Sequence, residues 1–189
     1  MKRLMKKPEI KQFLFGIWEI VEIVVVALAT VFLIRTFLFQ PFLVSGASME
    51  PTFSDGNYII IDEITYRFRD PIRGEVIVFR YPLDKSSFFI KRVVGLPGER
   101  IVSRDGDVKI YKGEEVLTLD ETYLPENTKI TENIDTTLKE DEYFVMGDNR
   151  YHSYDSRNWG AVKKEDIIGI ARLRVFPIEN VKIFNPPAY

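Results

Sequence analysis

The chain opens with one apolar block and then changes rhythm. From Ile17 to Phe39 it reads IWEIVEIVVVALATVFLIRTFLF, apolar on every helical face, with charge only at Glu19, Glu22 and Arg35 towards its ends. About twenty such residues cross a bilayer as a helix, and Pro41 stops the helix. After the Asp55-Gly56-Asn57 turn the runs become short and strand-like. Tyr58–Ile61, Val76–Tyr81, Phe88–Val94, Glu142–Met146 and Ile167–Val175 are the principal ones, separated by signals such as Arg73-Gly74 and Gly95-Leu96-Pro97-Gly98. Runs so close together, with short connections, predict a compact antiparallel β domain. Asp107–Tyr111 and Val116–Leu119 read as a hairpin, and the acidic, Thr-rich stretch from Asp120 to Asp141 follows it. The expected fold is therefore mainly β. A transmembrane helix over 17–39 precedes an antiparallel β domain over 40–189, with a small β-rich insertion at 105–141 whose segment Asp120–Asp141 lies solvated outside the main sheet.

Charge gives the helix a direction. Residues 1–16 carry Lys2, Arg3, Lys6, Lys7 and Lys11 against Glu9, a net +4, which leaves −6 on the rest of a chain whose total is −2. A basic tip on an acidic body argues against nucleic acid as partner and suits a cytoplasmic flank, with the body on the far side of the membrane. Two blander accounts of the block compete. A soluble core helix fits poorly with apolar residues all round beside a basic tip. A cleaved leader finds small residues at Ser45 and Ala47, but far past the apolar centre and beyond Pro41. A chain of 189 residues without cysteine and with only His152 as histidine excludes a disulfide framework, a thiol nucleophile and a histidine- or cysteine-rich metal centre. No cofactor or metal is expected.

Three stretches could carry chemistry. Ser48 sits in FLVSGASMEPTF, a bend between Gly46 and Pro51 that leaves its hydroxyl accessible; most such serines are simple turn residues. Lys91, at strand period two, shares a face with Phe89 and Val93. Burial there lowers a lysine's pKa, and a largely neutral amine is expected; a neutral amine can replace histidine as the base for a serine. The bland account is a lysine reaching to water. Gly147–Gly160, dense in Asp, Asn, Ser and Arg, suggests a hydrogen-bonded loop scaffold. His152 lies within it, without a constellation that recommends it as a base.

Taken together these stretches resemble the bacterial type I signal peptidases, membrane-bound Ser-Lys endopeptidases. Ser48-Met49-Glu50-Pro51-Thr52, Lys91-Arg92-Val93-Val94-Gly95-Leu96-Pro97-Gly98-Glu99 and Gly147-Asp148-Asn149-Arg150 with Ser153-x-Asp155-Ser156-Arg157 occur in the family's order, behind an anchor. The resemblance implies Ser48 as nucleophile and Lys91 as general base. It also implies Ser153 orienting the amine, an Asp155–Arg157 ion pair in support, and the Ser48 N–H holding the oxyanion. Phe42, Val44, Met49, Phe89, Ile90 and Met146 would line pockets for small residues before the cut in exported preproteins. The substrate would lie extended against Phe42–Ser45 and Phe88–Lys91. Localisation would be the bacterial plasma membrane, single-pass, with residues 1–16 cytoplasmic and the catalytic domain outside. Two positions depart from the family: Gly46, where some members place a serine, and Tyr151-His152, where Asp-Asn is common. Two other functions compete, a non-catalytic membrane-anchored binding module of the same fold and a repressor-type Ser-Lys autoprotease; the anchor speaks against the second.

Overall fold

The computed structural model describes residues 7–187 except 38, 105, 127, 129 and 131. It separates into two compact units, the first ending at Phe39 and the second beginning at Gln40. The first is a single helix, α1 (Lys7–Phe37). Within it Lys11–Phe32, 22 residues, is long and apolar enough to cross a membrane, about 33 Å at 1.5 Å per residue. Its apolar side chains between Phe13 and Phe32 are exposed, as befits lipid and not a soluble core. The helix begins ten residues before the apolar block. Lys7, Glu9 and Lys11 are compatible with helix and extend it past the segment that hydropathy marks.

The second unit is antiparallel β. Its main sheet runs in the order β1 (Phe39–Leu43), β2 (Tyr58–Asp62), β11 (Ile167–Phe176), β3 (Val76–Tyr81), β4 (Asp84–Gly95), β9 (Glu142–Met146), β10 (Val162–Lys163), with β12 (Lys182–Ile183) beside β11. A second sheet orders β7 (Glu115–Thr118), β6 (Asp107–Lys112), β5 (Arg100–Arg104) and β8 (Ile134–Thr137). That sheet starts at Arg100, ahead of the expected insertion boundary at 105. It is also less detached than a wet insertion. Ile101, Val108, Ile110, Ile130, Ile134 and Leu138 form one core with Val94, Phe144 and Met146 of the main sheet. Gly95 permits the approach, since a Cβ there would stand 2.7 Å from Ile101 Cδ1.

Strand β4 positions the site because it changes neighbours midway. From Asp84 to Arg92 it pairs with β3, and from Arg92 to Gly95 with β9. Among the described residues, 86–91 therefore keep one edge without a strand partner, open to an added chain.

Candidate active site

Three segments converge. The first is the turn after β1. Val44 N–H donates to Asn57 O at 2.9 Å, Gly56 N–H to Val44 O at 3.0 Å, and Gly46 N–H to Asp55 Oδ1 at 2.7 Å. Gly46 adopts φ +90°, a left-handed conformation that a serine there would hold only under strain. Beyond it Met49 and Phe53 are fully buried and anchor the turn in the core, so Ser48 is presented at its partly exposed crest.

The second segment is β4, which carries two buried cations on opposite faces. Lys91 Nζ lies 2.7 Å from Ser48 Oγ and 2.9 Å from Ile90 O, with its amine 5.5 Å from the Phe89 ring centroid. Lys91 is 4% exposed. Burial pulls its pKa down from 10.5 to about 8, the nearby Asp155 and Asp148 carboxylates resisting the fall. The neutral form is thus about one part in ten at pH 7 and the majority only above pH 8, a smaller displacement than the largely neutral amine expected from the strand face alone. Arg92 points the other way. Its Nε and Nη2 donate to Asp148 Oδ1 and Oδ2 at 2.8 and 2.5 Å, its Nη1 to Gly74 O at 2.8 Å, and its guanidinium lies 4.0 Å from the Tyr123 ring centroid. Thr52 Oγ1 donates to the same Asp148 carboxylate at 2.5 Å. One buried carboxylate therefore ties the serine turn, β4 and the third segment together.

That third segment runs from Gly147 to Gly160. Asp155 is its hub. Arg157 donates to it through Nε at 2.8 Å and Nη2 at 2.9 Å, and Gly147 N–H does so at 3.0 Å. Asp155 also caps α2 (Ser156–Trp159) in a capping box with Asn158. Burial opposes its charge, yet Arg157 and the Gly147 N–H together hold the carboxyl below its ordinary value. The expected Asp155–Arg157 pair is present. The buried Ser153 Oγ has no hydrogen-bond partner of good geometry among the described residues; it packs against Gly147, where a Cβ would stand 2.2 Å from it and 2.3 Å from Ser48 O. Gly147 is thus required by close approach, a role that its place beside a strand gave no reason to suspect.

The Ser48–Lys91 pair opens into a cleft of about 700 Å³. Phe42–Ser48 line one side and Ser87–Lys91 the other, with the buried Ile59 and Val78 beneath and His152 and Tyr154 at one end. Phe42, Val44, Phe89 and Ile90 lie on its walls as expected. Met49 and Met146 do not: both are completely buried, Met49 with Phe53, Ile59 and Ile61, Met146 with Val94 and Phe144. Adjacency to Ser48 in one case and to the loop in the other put them near the site in sequence, but each side chain points into a core. Ile59, Val78, Ala47 and Tyr154 replace them as lining; their sequence signal is only that of core or loop residues.

Comparison with known proteins gives the family. The family described as signal peptidase, peptidase S26, matches residues 17–176. A signal peptidase I P of Bacillus subtilis subsp. natto is 35% identical over 172 residues, covering 86% of this chain and 90% of its own. A probable signal peptidase I-2 of Synechocystis sp. is 38% identical over 161 residues, 82% and 71% respectively. Signal peptidase I T of Bacillus subtilis strain 168 is 34% identical over 169 residues, 84% and 85%. With most of its length matched on these terms, this chain belongs to the signal peptidase family, peptidase S26.

Proposed function

We propose that the chain is a signal peptidase I that removes N-terminal signal peptides from exported preproteins, using Ser48 as nucleophile and Lys91 as general base. The observation that carries this reading is the 2.7 Å contact between a buried amine, with no carboxylate at ion-pair distance among the described residues, and an accessible serine at the head of an apolar cleft. In its neutral form Lys91 keeps one N–H on Ile90 O while its lone pair accepts the Ser48 proton. Ser48 Oγ then attacks the scissile carbonyl, and the Ser48 N–H stabilises the oxyanion. The lysinium so formed gives its proton to the leaving amine. In a second cycle Lys91 deprotonates water, which releases the acyl group from Ser48. Asp155, Arg157 and Ser153 act by fixing the loop behind the dyad.

Substrate enters extended, its backbone pairing with the open edge of β4 at residues 86–91 and with the segment Phe42–Ser45 opposite. Alternate side chains then face Ile59, Val78, Val44 and Ile90, a shallow apolar surface suited to small residues such as alanine. The anchor spans 17–39, with 1–16 on the cytoplasmic side and 40–189 beyond the bilayer, 105–141 forming an inserted subdomain. Tethering beside emerging preproteins raises effective concentration without tight binding.

Cleavage of a model preprotein by the full chain in lipid tests the assignment. Wild type cuts after a small residue; Ser48→Ala and Lys91→Ala, folded by circular dichroism, lose at least about a thousandfold in kcat. Residual cutting by Ser48→Ala near the wild-type rate removes the dyad from the mechanism.

A further inference from the structure

Asn149 touches both peptide units that flank Ser48. Its backbone N–H donates to Ser48 O at 3.1 Å, and its side-chain Nδ2 donates to Ala47 O at 3.1 Å. Ala47 O also accepts from Glu50 N–H at 3.2 Å. A peptide unit is planar and trans, so whatever holds Ala47 C=O also sets the direction of the Ser48 N–H on the opposite side of the same plane. That N–H has no acceptor among the described residues.

The carboxamide of Asn149 is itself held. With its NH2 end on Ala47, its Oδ1 faces His152 Nδ1 at 3.2 Å. Only a protonated Nδ1 satisfies that oxygen, which fixes the His152 tautomer. The His152 backbone N–H closes the turn by donating to Asn149 O at 3.1 Å. Lys91 already occupies the place beside Ser48 Oγ, so the lone histidine is not needed as a base.

We propose that Asn149 and His152 are positioning residues for catalysis: His152 orients the Asn149 carboxamide, and the carboxamide orients the Ala47–Ser48 peptide so that its N–H meets the developing oxyanion. The proposal rests on Ser48 being the nucleophile. Hydrogen-bond strength falls steeply with angle, and one oxyanion donor is worth about 10²–10³ in rate, so a misdirected N–H forfeits part of that factor while leaving substrate binding intact. The departure from the family at Tyr151-His152 then keeps a donor in place, because the Nδ1 of histidine and the Nδ2 of asparagine sit at the same distance along the side chain.

The test uses the full chain in detergent with a model preprotein, kcat and KM being measured separately. Asn149→Ala is expected to lower kcat about thirtyfold and His152→Ala about fivefold, with KM within about twofold. Asn149→Asp, which puts a carboxylate against the Ala47 carbonyl, falls at least as far as Asn149→Ala. His152→Asn, which restores a donor, returns to within about twofold of wild type. A peptide aldehyde, whose carbonyl takes up the Ser48 Oγ–H to form a tetrahedral hemiacetal, weakens by the same factor as kcat/KM in each variant, whereas the cleaved signal peptide binds as before. An unchanged kcat in folded Asn149→Ala, or a loss confined to KM, overturns the proposal. Failure of His152→Asn to rescue removes His152 from it. If Asn149→Ala does not fold, the exposed His152 pair decides alone. Cleavage by Ser48→Ala would instead strike at the nucleophile assignment, so the two failures are distinguishable.

Discussion

An amine sealed against Phe89 and the strand core, with no carboxylate at ion-pair distance among the described residues, is unfavourable as a cation. Lys91 is the group at which activity and stability pull apart. Its folded pKa of about 8 stands below the ordinary 10.5, so between those values the unfolded chain holds the extra proton. Stability therefore rises with pH through that window, and the cost is felt in full below pH 8, on the order of 3 kcal/mol. Lys91→Met should raise the unfolding free energy at pH 7 by about that amount, the gain fading as pH approaches 10.5, while abolishing cleavage. Denaturant titrations at pH 7 and pH 10 check it, and a destabilised variant at pH 7 contradicts it. On the proposed mechanism the same protonation also governs rate. Only the neutral amine accepts the Ser48 proton, so kcat/KM should climb about tenfold for each pH unit below 8 and level off above it. A flat profile from pH 6 to 9 would mean that another group limits the reaction.

At the scale of elements, the site depends on three segments remote in sequence staying in register. Asp148 is their junction, bonded to Arg92 on β4 and to Thr52 beyond Ser48. Its carboxylate is fully buried, so removing it leaves the Arg92 charge without its compensating partner. Asp148→Leu should cost about 3 kcal/mol or more, read by thermal melting, while the double variant with Arg92→Met should recover much of the loss. Additive effects of the two changes would show that the pair is not the coupling element. The serine turn is also braced from the far side, where Arg174 donates to Thr52 O at 3.1 Å and Phe184 packs 4.3 Å from the Phe53 ring. The turn carrying Ser48 is thus braced by Arg174 of β11 and by Phe184, just past β12.

For the whole molecule, every residue of the dyad, cleft and junction lies in the unit that begins at Gln40, and the three cores close within it. A chain starting at Gln40 should therefore fold and cut a soluble peptide with kcat within about threefold of the full chain, yet fail to sediment with vesicles and process a membrane-inserted precursor at least about tenfold more slowly. Equal rates on both substrates would show that α1 contributes nothing beyond solubility. A truncated chain that melts without cooperativity would show instead that the β unit needs its anchor to fold.

What the sequence determined by itself was local and periodic. The apolar block announced α1 because a helix in lipid must satisfy its backbone internally with apolar side chains outward. Strands β2, β3, β4, β9 and β11 were legible because each is a short run rich in β-branched and aromatic residues bounded by turn signals, a pattern written residue by residue. Ser48 and Lys91 stood out through a bend and an interrupted apolar face, and the family's motifs joined them. Strands β5, β8, β10 and β12 escaped notice: two are short with charged or polar residues, RIVSR and IDTT, and two have two residues each, so their extended form is imposed by neighbours. The directions of Met49, Met146 and Ser153 were likewise undetermined, since only the packing of sheet against turn decides which side of a bend faces the core. The contacts of Asn149 and His152 with the serine turn belong to the same class. Residues about one hundred positions apart meet there because Asp148 pins the loop to β4, and no local pattern encodes a meeting made by a shared carboxylate.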